Sequence, residues 1–319
     1  MYNCDIFVDK YCPKKLDDII GNISTINKLK ILKNKENFPN IIIYGDTGIG
    51  KTTSVLCFLK EYLKKDKINN HILELNASDD LRKMNIIKKK IISFIEKKNK
   101  HNIVFLDEFD NMLQQNQYIL RSLMDKQPNA RFILICKNLT KIIDSIKNRC
   151  LILKYDNIDN QTIKNGLQNI IENENITITD EAIDVIIKIS NGDYRKAIND
   201  LQTVYTRFNN ITITEKDVYL MLDNPHTILV HNILIKCIQA TNIKQILYDI
   251  TNIIEKKGYT LIDVINTMSS ECIKLKIDDN LKQKYIEKIS EYYIKLINGI
   301  DTMTQIIGLV CELYYISKN

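Results

Sequence analysis

The chain has 319 residues and a formal net charge of +6 at pH 7, with 45% hydrophobic and 26% charged residues. This balance excludes an intrinsically disordered chain and predicts about two or three compact domains. A mild positive excess is compatible with nucleic-acid binding but does not establish it. The eight cysteines form no C-x-x-C pair, which argues against a zinc site or a disulfide framework. We find no secretory signal pattern and no apolar run near the roughly 20 residues that span a bilayer.

Short apolar runs alternate with helical patterns through the first half of the chain. Each run is too short for a helix and is rich in Ile, Val or Phe, as buried parallel strands are. The predicted strands are Ile41–Tyr44, Ile72–Leu75, Ile103–Leu106, Phe132–Ile135 and Leu151–Leu153. The predicted helices between them are Thr52–Lys65, Asp79–Lys98 and Asn111–Lys126. This alternation predicts an α/β fold with a parallel five-stranded sheet that helices cover on both faces.

From about Asp156 onward only helical patterns remain. Thr179, followed by two acidic residues, predicts a helix N-terminus. The predicted helices are Gln161–Asn173, Asp180–Ser190, Tyr194–Phe208 and Glu215–Leu222. A break at Asp223-Asn224-Pro225 precedes about five further helical patterns. We therefore place domain boundaries near residues 155 and 223.

A glycine-rich segment joins the first predicted strand to a helix. It reads Gly45-Asp46-Thr47-Gly48-Ile49-Gly50-Lys51-Thr52. This is the G-x-x-x-x-G-K-T pattern, whose glycines let backbone N–H groups wrap phosphate oxygens. Lys51 would neutralise the β- and γ-phosphates, and the Thr52 hydroxyl would ligate Mg²⁺. We include the next residue, Thr53, among the predicted nucleotide contacts.

Two adjacent carboxylates, Asp107 and Glu108, follow the apolar run Ile103–Leu106. Taken alone, such a pair is compatible with a solvated loop edge. Beside a phosphate loop, Asp107 is suited to hold Mg²⁺ through its water shell, and Glu108 to polarise the attacking water. The two segments together predict a site that binds ATP and Mg²⁺.

Six further segments resemble, in order, the motifs of the replication factor C family, whose members are AAA+ clamp-loader subunits. They are KYCPK at 10–14 with LDDIIGN at 16–22, ELNASDD at 74–80, FLDEFD at 105–110, QYILRSLMD at 117–125, NRC at 148–150 and GDYRKA at 192–197. The resemblance covers about the first 200 residues; the last third matches only in length and helical character.

The resemblance implies an architecture and an assembly. Residues 1–155 would form an AAA+ P-loop NTPase domain, residues 156–223 a helical lid, and residues 224–319 an all-α collar for oligomerisation. The chain would join other replication factor C subunits in a hetero-pentamer. With ATP and Mg²⁺, that complex would open a sliding clamp and load it onto primer–template DNA during replication.

The resemblance also assigns roles to matching positions. Tyr11 and Pro13 would lie beside the nucleotide, Asn138 would orient the hydrolytic water, and Arg195 would reach the γ-phosphate from the lid. Arg149 would be an arginine finger that acts in trans, on the ATP of a neighbouring subunit. Such a guanidinium is worth roughly 10³–10⁵ in rate in GTPases. The alternatives are a turn cap for Asn138 and surface ion pairs for the two arginines.

The chain departs from the family pattern at four positions. Cys12 replaces an arginine, Lys83 a glycine and Asn148 a serine. Asp46 stands in the phosphate loop where the family usually has proline, so it would either weaken triphosphate binding modestly or point to solvent. None of these changes removes the residues that carry the predicted chemistry.

A basic stretch between residues 82 and 100 is the candidate DNA contact. The resemblance places this helix toward the DNA backbone and matches Arg82 and Lys88 to basic positions of the family. Lys89, seven residues after Arg82, shares its helical face. The alternative is a solvated lysine face in a lysine-rich chain. Phosphate contacts would show no sequence preference and would weaken steeply with salt.

The main hypothesis from the sequence is a clamp-loader ATPase inside the cell, in a nucleus or at a viral replication site, and not secreted. Two alternatives stay open: a non-hydrolysing, ATP-binding scaffold subunit of the same complex, and another AAA+ ATPase that remodels DNA. Loss of Lys51 or Glu108 would mark the scaffold subunit, and both residues are present.

Overall fold

The computed structural model describes residues 6–63, 71–76, 84–96, 102–208, 211–222, 227–239, 242–257, 259–300 and 302–318. The chain divides into two compact units, residues 1–211 and 212–319. The boundary that we placed near residue 155 thus lies inside the first unit. The predicted break at residues 223–225 lies outside the described residues.

The first unit contains one parallel five-stranded sheet in the order β2-β3-β4-β1-β5. The strands are β1 (Asn40–Tyr44), β2 (Ile72–Asn76), β3 (Asn102–Asp107), β4 (Ala130–Cys136) and β5 (Cys150–Lys154). All five predicted strands are confirmed, and so is the parallel sheet. The apolar runs become strands because both faces of the sheet are covered; Ile41, Ile42 and Ile43 of β1 have no solvent exposure.

Nine α-helices occupy the described part of the first unit. They are α1 (Phe7–Lys10), α2 (Ile23–Lys33), α3 (Lys51–Tyr62), α4 (Met84–Ile95), α5 (Gln114–Lys126), α6 (Asp144–Lys147), α7 (Asn160–Glu174), α8 (Asp180–Ser190) and α9 (Tyr194–Arg207). The helical predictions are confirmed to within a few residues for α3, α5 and α7–α9, and α4 is the described part of the predicted helix 79–98. Thr179 caps α8 as expected, because its side chain accepts a hydrogen bond from the Ala182 N–H. The sequence patterns did not predict α1, α2 and α6.

Helices α4 and α5 share one apolar core with the sheet. Ile91 and Phe94 of α4 and Leu120 of α5 are buried with Ile42 of β1 and Phe132 of β4. The buried polar side chain of Gln117 fixes the position of α5 through hydrogen bonds. Its amide donates to the carbonyl oxygens of Met112 and Lys141, both at 3.0 Å, and its oxygen accepts the Ile143 N–H at 3.0 Å. A buried amide that is fully bonded sets the position of α5 more sharply than apolar contact alone.

The second unit is helical in its described part. It contains α10 (Glu215–Met221), α11 (Thr227–Gln239), α12 (Ile243–Lys257), α13 (Leu261–Lys274), α14 (Asp279–Ile297) and α15 (Met303–Ile316). The five helices after residue 223 agree with the prediction. They share one core, in which Leu234, Val264, Met268, Ile289 and Val310 are almost fully buried. Among the described helices of both units, none combines the length and the apolar character needed to cross a membrane.

Candidate nucleotide site

Three loops meet at the carboxyl edge of the sheet. Tyr44, the last residue of β1, pairs with Cys136, the last residue of β4, and β3 pairs with β4 on its other side. Parallel strands end at the same edge, which is where open α/β sheets bind their ligands. The loop after β1, the carboxylates that end β3 and the residues after β4 therefore come together.

The loop at residues 45–50 curls at the start of α3. Gly45 has a φ of +151°, and a β-carbon there would lie 2.5 Å from the carbonyl oxygen of Tyr155, so only glycine fits. The Lys51 ammonium lies in the mouth of the loop and donates to the carbonyl oxygens of Gly45, at 2.8 Å, and of Asp46. Burial lowers the pKa of Lys51, and the Asp107 carboxylate opposes that shift most strongly.

The exposure of the Asp46 side chain decides between our two alternatives for this departure from the family pattern. The side chains of Asp46 and Thr47 are exposed, whereas Ile49 is buried and anchors the loop. An exposed carboxylate costs little free energy because water screens it. The second of our two alternatives for Asp46, a side chain that points to solvent, is the one observed.

Thr52 and Asp107 lie together at the end of β3. The Thr52 hydroxyl donates to Asp107 Oδ2 at 2.8 Å, and Asp107 Oδ1 accepts the Glu108 N–H at 2.8 Å. One hydroxyl and one carboxylate are oxygen donors, the kind that Mg²⁺ prefers when it keeps several waters. This donor set fits a magnesium ion bound between the loop and β3.

Glu108 and Asn138 stand at the same edge of the sheet. Glu108 has a left-handed backbone, with φ +52°, and its exposed carboxylate accepts a hydrogen bond from the Asn111 amide at 3.2 Å. The Asn138 side chain caps a 3₁₀ turn, because its oxygen accepts the Thr140 N–H at 3.0 Å. The backbone N–H of Asn138 donates to Asp110 Oδ2 at 3.1 Å. Asp110 therefore ties the loop after β3 to the loop after β4, a contact that sequence reasoning did not assign.

The start of α9 lies against the phosphate loop. Asp193 caps this helix by accepting the Lys196 N–H at 2.8 Å, and its carboxylate also contacts Gly48. Arg195 is exposed in the first turn of α9, two residues after that contact. We did not predict a site role for Asp193; the signal that could have suggested one is an aspartate at a helix N-cap within the GDYRKA motif.

The N-terminal segment connects α7 with α3. The Tyr11 hydroxyl donates to Glu174 of α7 at 2.5 Å, and the Pro13 carbonyl accepts the thiol of Cys57 of α3 at 3.2 Å. Burial raises the pKa of Tyr11 to about 12, and the hydrogen bond to Glu174 adds to that shift. Tyr11 and Pro13 therefore connect α7 with α3, the helix that follows the phosphate loop.

Arg149 lies at the amino edge of the sheet, where the parallel strands begin and opposite the carboxyl edge that holds the phosphate loop. It directly precedes β5, whose first residue, Cys150, pairs with Asn40 at the start of β1. Four residues at about 3.3 Å each separate that end of β1 from Tyr44, a distance of roughly 13 Å. Arg149 pairs with Asp125 at 2.7 Å and is 35% exposed. It is neither near its own phosphate loop nor inside its own core.

The candidate DNA contacts are only partly described. Arg82 and the side chain of Lys88 lie outside the described residues. Lys89 is exposed on α4, on a helix whose Ile91 and Phe94 are buried in the core.

Three family models match consecutive parts of the chain. Residues 41–157 match the ATPase family associated with various cellular activities, AAA. Residues 165–206 match the RCF1/5-like AAA+ ATPase lid domain, and residues 225–312 the replication factor C C-terminal domain. Replication factor C subunit 4 of Schizosaccharomyces pombe is 34% identical, over 96% of this chain and 90% of the relative. The chain belongs to the replication factor C family.

A second relative supports the assignment of this chain to the replication factor C family. Subunit 4 of Saccharomyces cerevisiae is 32% identical over 98% of the chain and 96% of its own length. A solved structure of Thermotoga maritima RuvB, a Holliday junction branch migration motor, has a TM-score of 0.55 at 19% identity, with 76% of this chain and 85% of that chain covered. That likeness shows the fold alone. The predicted AAA+ ATPase fold is confirmed, and the chain is an ATPase of this family.

Proposed function

We propose that this chain is an ATP-hydrolysing clamp-loader subunit, which helps to open a sliding clamp and load it onto primer–template DNA. Family membership supports this role. The observation that carries it is the arrangement of the sheet: phosphate loop, Thr52, Asp107 and Glu108 at one edge, and Arg149 at the other. A phosphate loop at the carboxyl edge and an arginine, Arg149, at the amino edge suit a ring or spiral of subunits, in which the arginine of one chain reaches the nucleotide of the next.

Nucleotide binding is assigned to residues 45–53. Backbone N–H groups of the loop wrap the phosphate oxygens, and Lys51 neutralises the β- and γ-phosphates by exchanging its carbonyl partners for phosphate oxygens. Tyr11 and Pro13 lie beside the nucleotide. Arg195 reaches the γ-phosphate from the lid, because the contact between Asp193 and Gly48 holds the start of its helix at the loop.

Thr52 and Asp107 are assigned to Mg²⁺. Their oxygen atoms are 2.8 Å apart, so both are available to one ion, Thr52 directly and Asp107 through a water shell. When bound, the ion neutralises charge on the β- and γ-phosphate oxygens.

Hydrolysis is assigned to Glu108 and Asn138. Glu108 accepts a hydrogen bond from the attacking water, which Asn138 helps to orient. The water oxygen bonds to the γ-phosphorus as the bond to the bridging oxygen breaks, which gives ADP and phosphate. Both side chains are exposed at the edge where the loop opens, and Asn138 donates through its amide nitrogen while its oxygen keeps the turn cap.

Arg149 is assigned to the nucleotide of a neighbouring subunit. It stands roughly 13 Å or more along the sheet from its own loop, too far to stabilise its own transition state. A planar guanidinium meets two phosphoryl oxygens at once, which a lysine does not.

The remaining parts of the chain are assigned to subunit assembly and DNA binding. Residues 156–223 act as the lid and residues 224–319 as the collar that joins this chain to other replication factor C subunits. Arg82, Lys88 and Lys89 contact the DNA backbone without sequence preference. Such a complex works inside the cell, in a nucleus or at a viral replication site.

The decisive experiment co-expresses this chain with its partner subunits and measures ATPase activity with and without clamp and primed DNA. We expect stimulation by both. Lys51→Ala should abolish nucleotide binding at this site, whereas Glu108→Gln should retain ATP and stop turnover there. A scaffold role predicts instead that Glu108→Gln leaves the activity of the complex unchanged. A different DNA-remodelling ATPase would show stimulation by DNA and none by the clamp.

A further inference from the structure

Arg149 is held on the protein surface by three hydrogen bonds. Its Nε donates to Asp125 Oδ1 at 2.7 Å, its Nη2 to Asp125 Oδ2 at 3.4 Å, and its Nη1 to the carbonyl oxygen of Ser145 at 2.7 Å. A guanidinium carries five N–H donors. Two of them therefore keep no partner among the residues that the structure describes, and the side chain is 35% exposed. The group is oriented and still has donors to offer.

Both partners stand on well-anchored elements. Asp125 lies in the last turn of α5, between the buried Met124 and the helix end, and buried Gln117 fixes the same helix. Arg149 sits between α6 and β5, where its own N–H donates to the Ile146 carbonyl at 3.0 Å. A carboxylate that meets a guanidinium with both oxygens fixes the plane of the group as well as its position.

The charges around the pair favour an ionised carboxylate. Arg149 holds the pKa of Asp125 below its usual range, and Arg121 adds to the effect. Arg121 belongs to the same helix, and its Nε lies 3.5 Å from Asp125 Oδ2. Asp125 thus remains a charged acceptor between two arginines, of which only Arg149 stands next to β5, at the amino edge of the sheet.

We propose that Asp125 is a positioning residue that orients the Arg149 guanidinium for the nucleotide of a neighbouring subunit. This inference rests on the trans role proposed above for Arg149. A long, exposed arginine samples many rotamers, and the neighbour's reaction is faster when the donor is already aligned. Asp125 does not itself touch the reacting atoms. It acts through the orientation of Arg149.

The test uses the assembled complex, with Glu108→Gln in this chain so that its own site is silent. We expect Asp125→Ala to lower the kcat of the remaining activity by about tenfold while KM for ATP changes by less than about twofold. Asp125→Glu, which keeps the carboxylate, should recover most of that loss. Asp125→Ala combined with Arg149→Ala should be no slower than Arg149→Ala alone, because both changes remove one function.

Asp144→Ala is the matched control. This carboxylate pairs with Lys147 at 3.0 Å on the same surface and has no bond to Arg149 among the described residues. It should leave kcat unchanged. If Arg149→Ala slows the complex but Asp125→Ala does not, or accelerates it, the positioning role is wrong and the trans role stands. If Arg149→Ala has no effect, the trans role fails, and the positioning role fails with it. Thermal unfolding and assembly of each variant separate these outcomes from misfolding.

Discussion

The carboxylate of Asp193 lies so close to Gly48 that a β-carbon built on Gly48 would stand 1.7 Å from Asp193 Oδ1. Gly48 also has a φ of +65°, which side chains rarely adopt. The phosphate loop and the first turn of α9 therefore touch at a point where only glycine fits. Because Arg195 follows two residues later, we expect this contact to set how near the lid arginine stands to a bound nucleotide.

Gly48→Ala should separate the loop from α9. The methyl group clashes with Asp193, and the left-handed backbone costs roughly 1–2 kcal/mol more for alanine than for glycine. We expect ATP affinity to fall by about tenfold or more, measured by titration calorimetry. Gly299→Ala is the control: it has a φ of +92° but nothing within 4 Å, so it carries backbone strain alone. Equal ATP affinities for the two variants would contradict the proposed contact.

Much of the fold was readable because its signals are local. The apolar runs, the G-x-x-x-x-G-K-T segment and the Thr179 cap each lie within about a dozen neighbouring residues. Helix α2 was missed because Ile23 and Ile31 are exposed, at 72% and 61%, which blurs the stripe of Ile26, Leu29 and Leu32.

Contacts between distant residues were not readable from one sequence. Tyr11 and Glu174 are 163 positions apart, and Gly48 lies in the loop after β1 whereas Asp193 caps α9. No periodicity encodes such a pair, because only the folded chain brings its members together. The motif at residues 117–125 contained Asp125 but gave no reason to pair it with Arg149.

Magnesium dependence should be carried by Thr52. Thr52→Val keeps the shape of the side chain but removes the hydroxyl that lies 2.8 Å from Asp107 Oδ2. We expect ATP affinity in excess Mg²⁺ to fall by about tenfold, whereas affinity in EDTA should stay nearly unchanged, since the lost group serves the ion. The two conditions act as each other's control. An equal loss in both would mean that the hydroxyl supports the loop and not the metal.

The contact between the N-terminal segment and α7 should depend on pH. Hydrogen bonds from Lys10 and then Tyr11 lower the pKa of Glu174. A carboxylate whose pKa is lower in the folded chain stabilises it above the unfolded pKa, about 4.3 for Glu, and loses that contribution as pH falls through the folded value. Wild type should therefore unfold at a higher temperature than Glu174→Gln at about pH 7, and the gap should close near pH 3.

The control for this pH effect comes from the same helix. Glu172 is exposed in the last turn of α7, so Glu172→Gln removes an equal charge without touching the N-terminal segment. Its unfolding temperature should follow that of wild type at both pH values. A gap between wild type and Glu174→Gln that persists at low pH would contradict an ionic contact.

Lys89 should contribute to DNA binding through charge alone. Because it is exposed on α4 while Ile91 and Phe94 anchor that helix, Lys89→Ala should leave the fold intact. If Lys89 neutralises one phosphate, its removal should reduce the slope of log affinity against log salt by about 0.9, equally for primed DNA of different sequences.

Lys60→Ala, at an exposed position of α3, removes the same charge elsewhere and should leave the slope unchanged. The measurement is fluorescence anisotropy of the assembled complex across a salt series. Equal slopes for both variants would assign Lys89 to the solvated lysine surface and leave DNA contact to other residues.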